Sequence, residues 1–84
     1  MTYYSQLGQD EIVDKILKQK TNGFFLDIGA CYWDYMSNTC FFDKERNWKG
    51  IGVDLESKYV DGWKQNRNNS ILHISKKPYN FMED

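Results

Sequence analysis

The stretch GFFLDIGACYWDYMSNT, Gly23 to Thr39, decides how the chain is read. Phe24 to Ile28 is short and almost wholly apolar, the pattern of a strand covered on both faces. Gly29 follows at once, where a residue without a Cβ lets the chain reverse sharply and brings its amides close to a ligand. Asp27 and Gly29 together make an Asp-x-Gly strand end, a pattern that tight turns also use for backbone reasons alone.

Upstream, Ile12, Val13, Ile16 and Leu17 recur at helical spacing, with Asp10 and Glu11 early and Lys15, Lys18 and Lys20 late, as the helix dipole favours. This predicts an amphipathic helix that ends at Asn22-Gly23, a pair suited to the left-handed conformation. Downstream, a second helix is expected over 34–46, with Asp34 or Ser37 accepting from its first-turn amides, and Asn47-Trp48-Lys49-Gly50 closing it. Ile51 to Leu55 reads as a second strand. A third helix, capped by Ser57, should run over 57–67 with Val60 and Trp63 toward the sheet, before a turn at Asn68-Asn69 and a third strand from Ile71 to Ile74. Pro78 ends regular structure in a charged tail, 76–84.

Helices alternating with strands across short turns predict an α/β fold with parallel strands, one half of a doubly wound sheet of three strands and three helices. Such a half binds a nucleoside at the carboxyl ends of its strands. Asp54, twenty-five residues beyond Gly29 at the end of the second strand, is placed to accept from both hydroxyls of a ribose.

The 84 residues suffice for a single domain and exclude a two-domain enzyme. A content of 40% hydrophobic and 17% aromatic residues supplies a core. A net charge of -1 without a basic stripe argues against nucleic-acid binding. No segment approaches the roughly 20 apolar residues of a membrane span, and the N-terminus lacks the form of a signal peptide, so a cytoplasmic location without membrane association is expected. Cys31 and Cys40 lie outside zinc spacing, so no metal site is assigned and both thiols are expected to be reduced. His73 in the third strand is read as a packed or edge histidine, and Trp48, Trp63, Tyr59, Phe41 and Phe42 as packing residues.

The segments YSQLGQDEIV, GFFLDIGACYWDYMSNT, NWKGIGVDLE and Asn66-Arg67 resemble the opening half of FkbM-type methyltransferases, over roughly residues 3–67. The resemblance implies a Rossmann-like, class I methyltransferase-like fold that uses S-adenosylmethionine. It matches Asp27, Gly29 and Ala30 to the first cofactor motif, Asp54 to the acid that holds the cofactor ribose, and Ser37-Asn38-Thr39 to a signature at the start of the helix beneath the cofactor. Cys31, Tyr32 and Trp33 depart from the family pattern, which has a glycine where Trp33 stands, so either the turn is rebuilt or the ring occupies part of the pocket. Leu55 replaces a proline. Because the family's later strands have no counterpart here, the expectation is a truncated cofactor-binding half, inactive alone, with no catalytic residue assignable. The alternative is a non-catalytic structural or protein-interaction module that keeps the fold. Either way, the strand Phe24 to Ile28 should have one unpaired edge, which predicts self-association or pairing with a completing chain.

Overall fold

The computed structural model describes residues 1–75. The elements are α1 (Gln9–Ile16), β1 (Phe24–Ile28), α2 (Cys40–Glu45), β2 (Lys49–Asp54), a 3₁₀ turn (Ser57–Tyr59), α3 (Val60–Asn66) and β3 (Ser70–Ile74). The strands form one all-parallel sheet in the order β1-β2-β3, so the α/β class and the strand-helix alternation stand as expected. Among the described residues β1 pairs only with β2, which leaves its other edge open. The tail 76–84, including Pro78, lies outside the described residues.

Both crossover helices share one face of the sheet. Phe25, Gly50, Gly52 and Ser70 point to it, and Phe41, Phe42 and Trp63 fill it. Glycine at 52 is required by closeness: a Cβ there would lie 2.5 Å from the Trp63 ring and 3.0 Å from the Ala30 Cβ. Among the described residues nothing packs over the opposite face. Phe24, Leu26, Ile28 and Ile71 are all exposed on it, so the expectation that β1 is covered on both faces is overturned.

The N-terminal helix does not cover that face either. Its buried side chains are Asp10 and Asp14, while Ile12, Val13, Ile16 and Leu17 face outward, the reverse of the expected orientation. The reason lies in residues 3–5, which fold back on the helix. Asp10 Oδ2 accepts from the amides of Tyr4 (2.6 Å) and Ser5 (3.1 Å), and Ser5 Oγ accepts from the Asp10 amide (3.0 Å). Asp14 accepts from the Tyr3 hydroxyl (3.1 Å) and from Arg46 Nε and Nη2 (both 2.9 Å), and the Tyr3 ring stacks 4.4 Å from Phe41. These bonds tie α1 to α2 through polar groups.

Helix boundaries also shift. α1 stops at Ile16 because Lys18 and Gln19 turn left-handed and the Gln19 amide reaches back to the Asp14 carbonyl at 2.8 Å. Asn22, at φ 62°, serves the next turn, into β1. α2 starts at Cys40 because Asp34 and Ser37 bond nearby backbone: Asp34 takes the Tyr35 amide, and Ser37 Oγ takes those of Thr39 (3.1 Å) and Cys40 (3.0 Å).

Candidate functional site

Asp27, Gly29, Ala30 and Asp54 come together at the carboxyl ends of β1 and β2, whose register pairs Asp27 with Gly52 and Ile28 with Val53. Gly29 sits at φ +69° and nothing lies within 4 Å of where its Cβ would be, so glycine is there for its conformation. Its amide and that of Ala30 both donate to the Val53 carbonyl, at 2.8 and 3.0 Å. The turn thus spends its first two amides on β2.

The next residue is held from two sides. The Cys31 amide donates to Asp54 Oδ2 at 2.9 Å, and the Cys31 carbonyl accepts from the Trp63 indole at 2.8 Å. These bonds hold Cys31 at φ 59°, a conformation that costs a non-glycine residue about 1–2 kcal/mol. Asp54 Oδ1 takes two further amides, from Leu55 (2.8 Å) and Glu56 (3.0 Å). Burial alone would raise the Asp54 carboxyl, but the backbone donors of Glu56, Cys31 and Leu55, with the Cys31 thiol, hold it below its ordinary value. Burial and the neighbouring Asp54 push the Cys31 thiol up, and burial pushes Cys40 up to about 11, so neither cysteine is an activated nucleophile.

Asp27 is half-buried, and its Oδ2 accepts from the Thr39 hydroxyl at 2.6 Å. Its Oδ1 meets no donor among the described residues. Behind Thr39 stands Arg67, buried, which donates through Nη2 to Ser37 Oγ (3.0 Å) and Thr39 Oγ1 (3.3 Å), through Nη1 to Ser70 Oγ (3.1 Å), and through Nε to the Trp33 carbonyl (3.0 Å). Its guanidinium also lies 3.9 Å from the Trp63 ring centre. Burial pulls the Arg67 value down, and Cys40, Asp43 and Asp27 oppose that pull; the group remains a cation.

Trp33 is half-buried. Its ring lies against α3, with Cδ1 2.8 Å from where a Gly62 Cβ would stand, and the Lys44 ammonium sits 5.2 Å from its centre. Sequence reasoning missed two features here. One is a group of tyrosines beside the turn, Tyr32 packing edge-on against Tyr59 (4.8 Å) and Tyr35 (6.0 Å), with Tyr32 and Tyr35 exposed. The other is Arg67, noted only as half of an Asn-Arg pair. An arginine just after an apolar helix face was the available signal.

A surface cleft of about 510 Å³ opens elsewhere, between α3 and the amino end of β3, lined among others by Lys49, Lys64 and Asn68. It includes none of the four strand-end residues. Among the described residues no group of three or more His, Cys, Asp or Glu could hold a metal ion, and no helix is long and apolar enough to cross a membrane. No protein-family model, curated protein or solved structure matches the chain.

Proposed function

We propose that the strand-end cluster is part of an S-adenosylmethionine site in a Rossmann-like sheet, the cofactor-binding half of an O-methyltransferase of the kind the FkbM resemblance implies. One observation carries this reading. Asp27, Gly29, Ala30 and Asp54 meet at the carboxyl ends of two adjacent, in-register parallel strands, where open α/β sheets take their ligands. In such a reaction the protein chiefly orients the cofactor methyl toward its acceptor, so binding is the property to measure.

The geometry refines the role of Asp54. A carboxylate offers about four acceptor positions. Three are filled by the amides of Cys31, Leu55 and Glu56, which leaves room for one ribose hydroxyl rather than two. Calorimetry with S-adenosylhomocysteine should show binding to the parent chain. A ribose lacking one hydroxyl should lose about 1 kcal/mol when the missing group is the one Asp54 holds, and nothing when it is the other. A parent that binds no ligand at millimolar concentration discards the reading.

A second reading, a non-catalytic interaction module, is favoured by the bare sheet face and the open edge of β1, Phe24–Ile28. On this reading a second copy or a completing chain adds to that edge. A cytoplasmic location, compatible with two free cysteines, goes with either proposal.

A further inference from the structure

The two arms of the Arg67 guanidinium end differently. Through Nη1 the cation reaches Ser70, whose hydroxyl donates to Asp43 Oδ2, and Asp43 accepts in addition from the amides of Asn68 (3.2 Å) and Asn69 (3.3 Å). That arm closes inside the core, with every member satisfied. Through Nη2 the cation reaches Thr39, whose hydroxyl donates to Asp27, and there the chain of bonds stops at a half-buried carboxylate with one oxygen unengaged among the described residues.

The direction of the second arm is fixed by chemistry. Arginine has donors only, so Thr39 Oγ1 accepts from it, and the single hydroxyl proton must go elsewhere. Asp27 Oδ2, an acceptor at 2.6 Å, takes it. The guanidinium is held in place, because Nε is tied to the Trp33 carbonyl and the cation sits 3.9 Å from the Trp63 ring centre.

From this we infer that Arg67, acting through Thr39, is the positioning residue for Asp27: it pins Oδ2 and thereby reserves Oδ1 for a hydrogen-bond donor on a bound ligand. The inference rests on the cofactor reading for the identity of that ligand, but not for the direction of the bonds.

The test uses S-adenosylhomocysteine and three variants of the full chain. Thr39→Val removes the hydroxyl at constant shape and should weaken binding by at least about 5-fold, while Thr39→Ser, which restores the hydroxyl, should stay within about 2-fold of the parent. Ser70→Ala cuts the other arm, and it should lower the melting temperature yet leave affinity within about 2-fold. If Ser70→Ala weakens binding as much as Thr39→Val, or if Thr39→Val binds like the parent, the positioning role is overturned. A second readout needs no ligand. The Thr39 hydroxyl proton should be slow to exchange and visible by proton NMR, with contacts that direct it at Asp27. A parent that shows this proton but binds no cofactor discards the function proposed above and leaves the positioning geometry standing. A freely exchanging hydroxyl overturns the geometry itself.

Discussion

Phe24 and Phe25 are neighbours in β1 and meet opposite fates, one 64% exposed and the other 8%. The sheet they belong to is asymmetric throughout. Its helix-covered side buries a charged pair and three hydroxyls, Arg67 and Asp43 with Ser37, Thr39 and Ser70, while its other side shows apolar Phe24, Leu26, Ile28 and Ile71 to solvent. The same inversion marks α1, which buries two aspartates and exposes its isoleucines. An apolar pattern records which surfaces are suited to cover; residues 1–75 cover one sheet face and leave the other bare. The covered side combines an aromatic core with a polar network in which every buried side-chain group has a partner.

The largest effect should come from breaking that network at its centre. Arg67→Ala leaves Asp43 buried without its cation, Thr39 and Ser70 without a donor and Ser37 with one donor fewer, a loss on the order of 3–5 kcal/mol. A domain this small should then be largely unfolded by circular dichroism. Arg67→Lys should rescue it poorly, because one ammonium cannot serve the Trp33 carbonyl and three hydroxyls together. A stable Arg67→Ala chain would mean that the apolar contacts of Phe41 and Trp63 hold this side unaided.

The two phenylalanines provide the next contrast. Phe25→Ala should cost about 3–4 kcal/mol by urea unfolding, since it empties the space between Gly50 and Arg67. Phe24→Ala should cost well under about 1 kcal/mol. Equal costs would mean that the bare face is not bare in solution.

How much of this was legible in the sequence follows the physics of each signal. The three strands could be read, because short, mostly apolar runs between turn residues have few alternatives, the first two closed by Gly29 and Asp54, and the convergence of Asp27, Gly29 and Asp54 followed from strand order. The orientation of α1 could not. Its 3.6-residue period names an apolar stripe, yet the N-terminal turn through Ser5 and Asp10 spends backbone bonds on the acidic side, and that preference is local and polar. The start of α2 was hidden for a similar reason, as Asp34 and Ser37 can cap a helix or stall one. Arg67 was hidden because a lone arginine reads as surface until the hydroxyls around it, drawn from residues 37, 39 and 70, are brought together by the fold.

A smaller effect should appear in acid. Arg46, outweighing burial and helped by the Tyr3 hydroxyl, holds the Asp14 carboxyl below its ordinary value, and backbone amides do the same for Asp54. A carboxylate whose folded value is depressed contributes stability above its unfolded value, near 4, and loses it as pH falls through the folded value. Stability should therefore be flat at neutral pH and decline below about pH 4. Asp54→Asn should cost about 2 kcal/mol at neutral pH, because its amide turns an N–H toward backbone donors, and its acid decline should be shallower than the parent's. An unchanged slope would assign the acid sensitivity to other carboxylates.

The smallest change in stability should come from the bare face, and there the informative quantity is association. Leu26, 62% exposed, stands mid-strand in β1 opposite Ile51, and Ile71, 66% exposed, stands across the sheet on β3. Together with Phe24 and Ile28 they make an apolar patch on the order of 500 Å², at the upper end of what monomers show. Leu26→Lys and Ile71→Lys should each change unfolding stability by less than about 0.5 kcal/mol, because neither side chain leaves a packed site. Light scattering across micromolar concentrations then separates two modes of assembly. If a second chain adds to the open edge of β1, Leu26→Lys should weaken association and Ile71→Lys, two strands away, should leave it intact. If two bare faces pack against each other, both lysines should abolish it, since each would be buried without a partner. A parent that remains monomeric, joined to a Leu26→Lys variant that loses about 2 kcal/mol or more, would show that this face is covered within the chain itself and would remove the contrast between the two sides of the sheet.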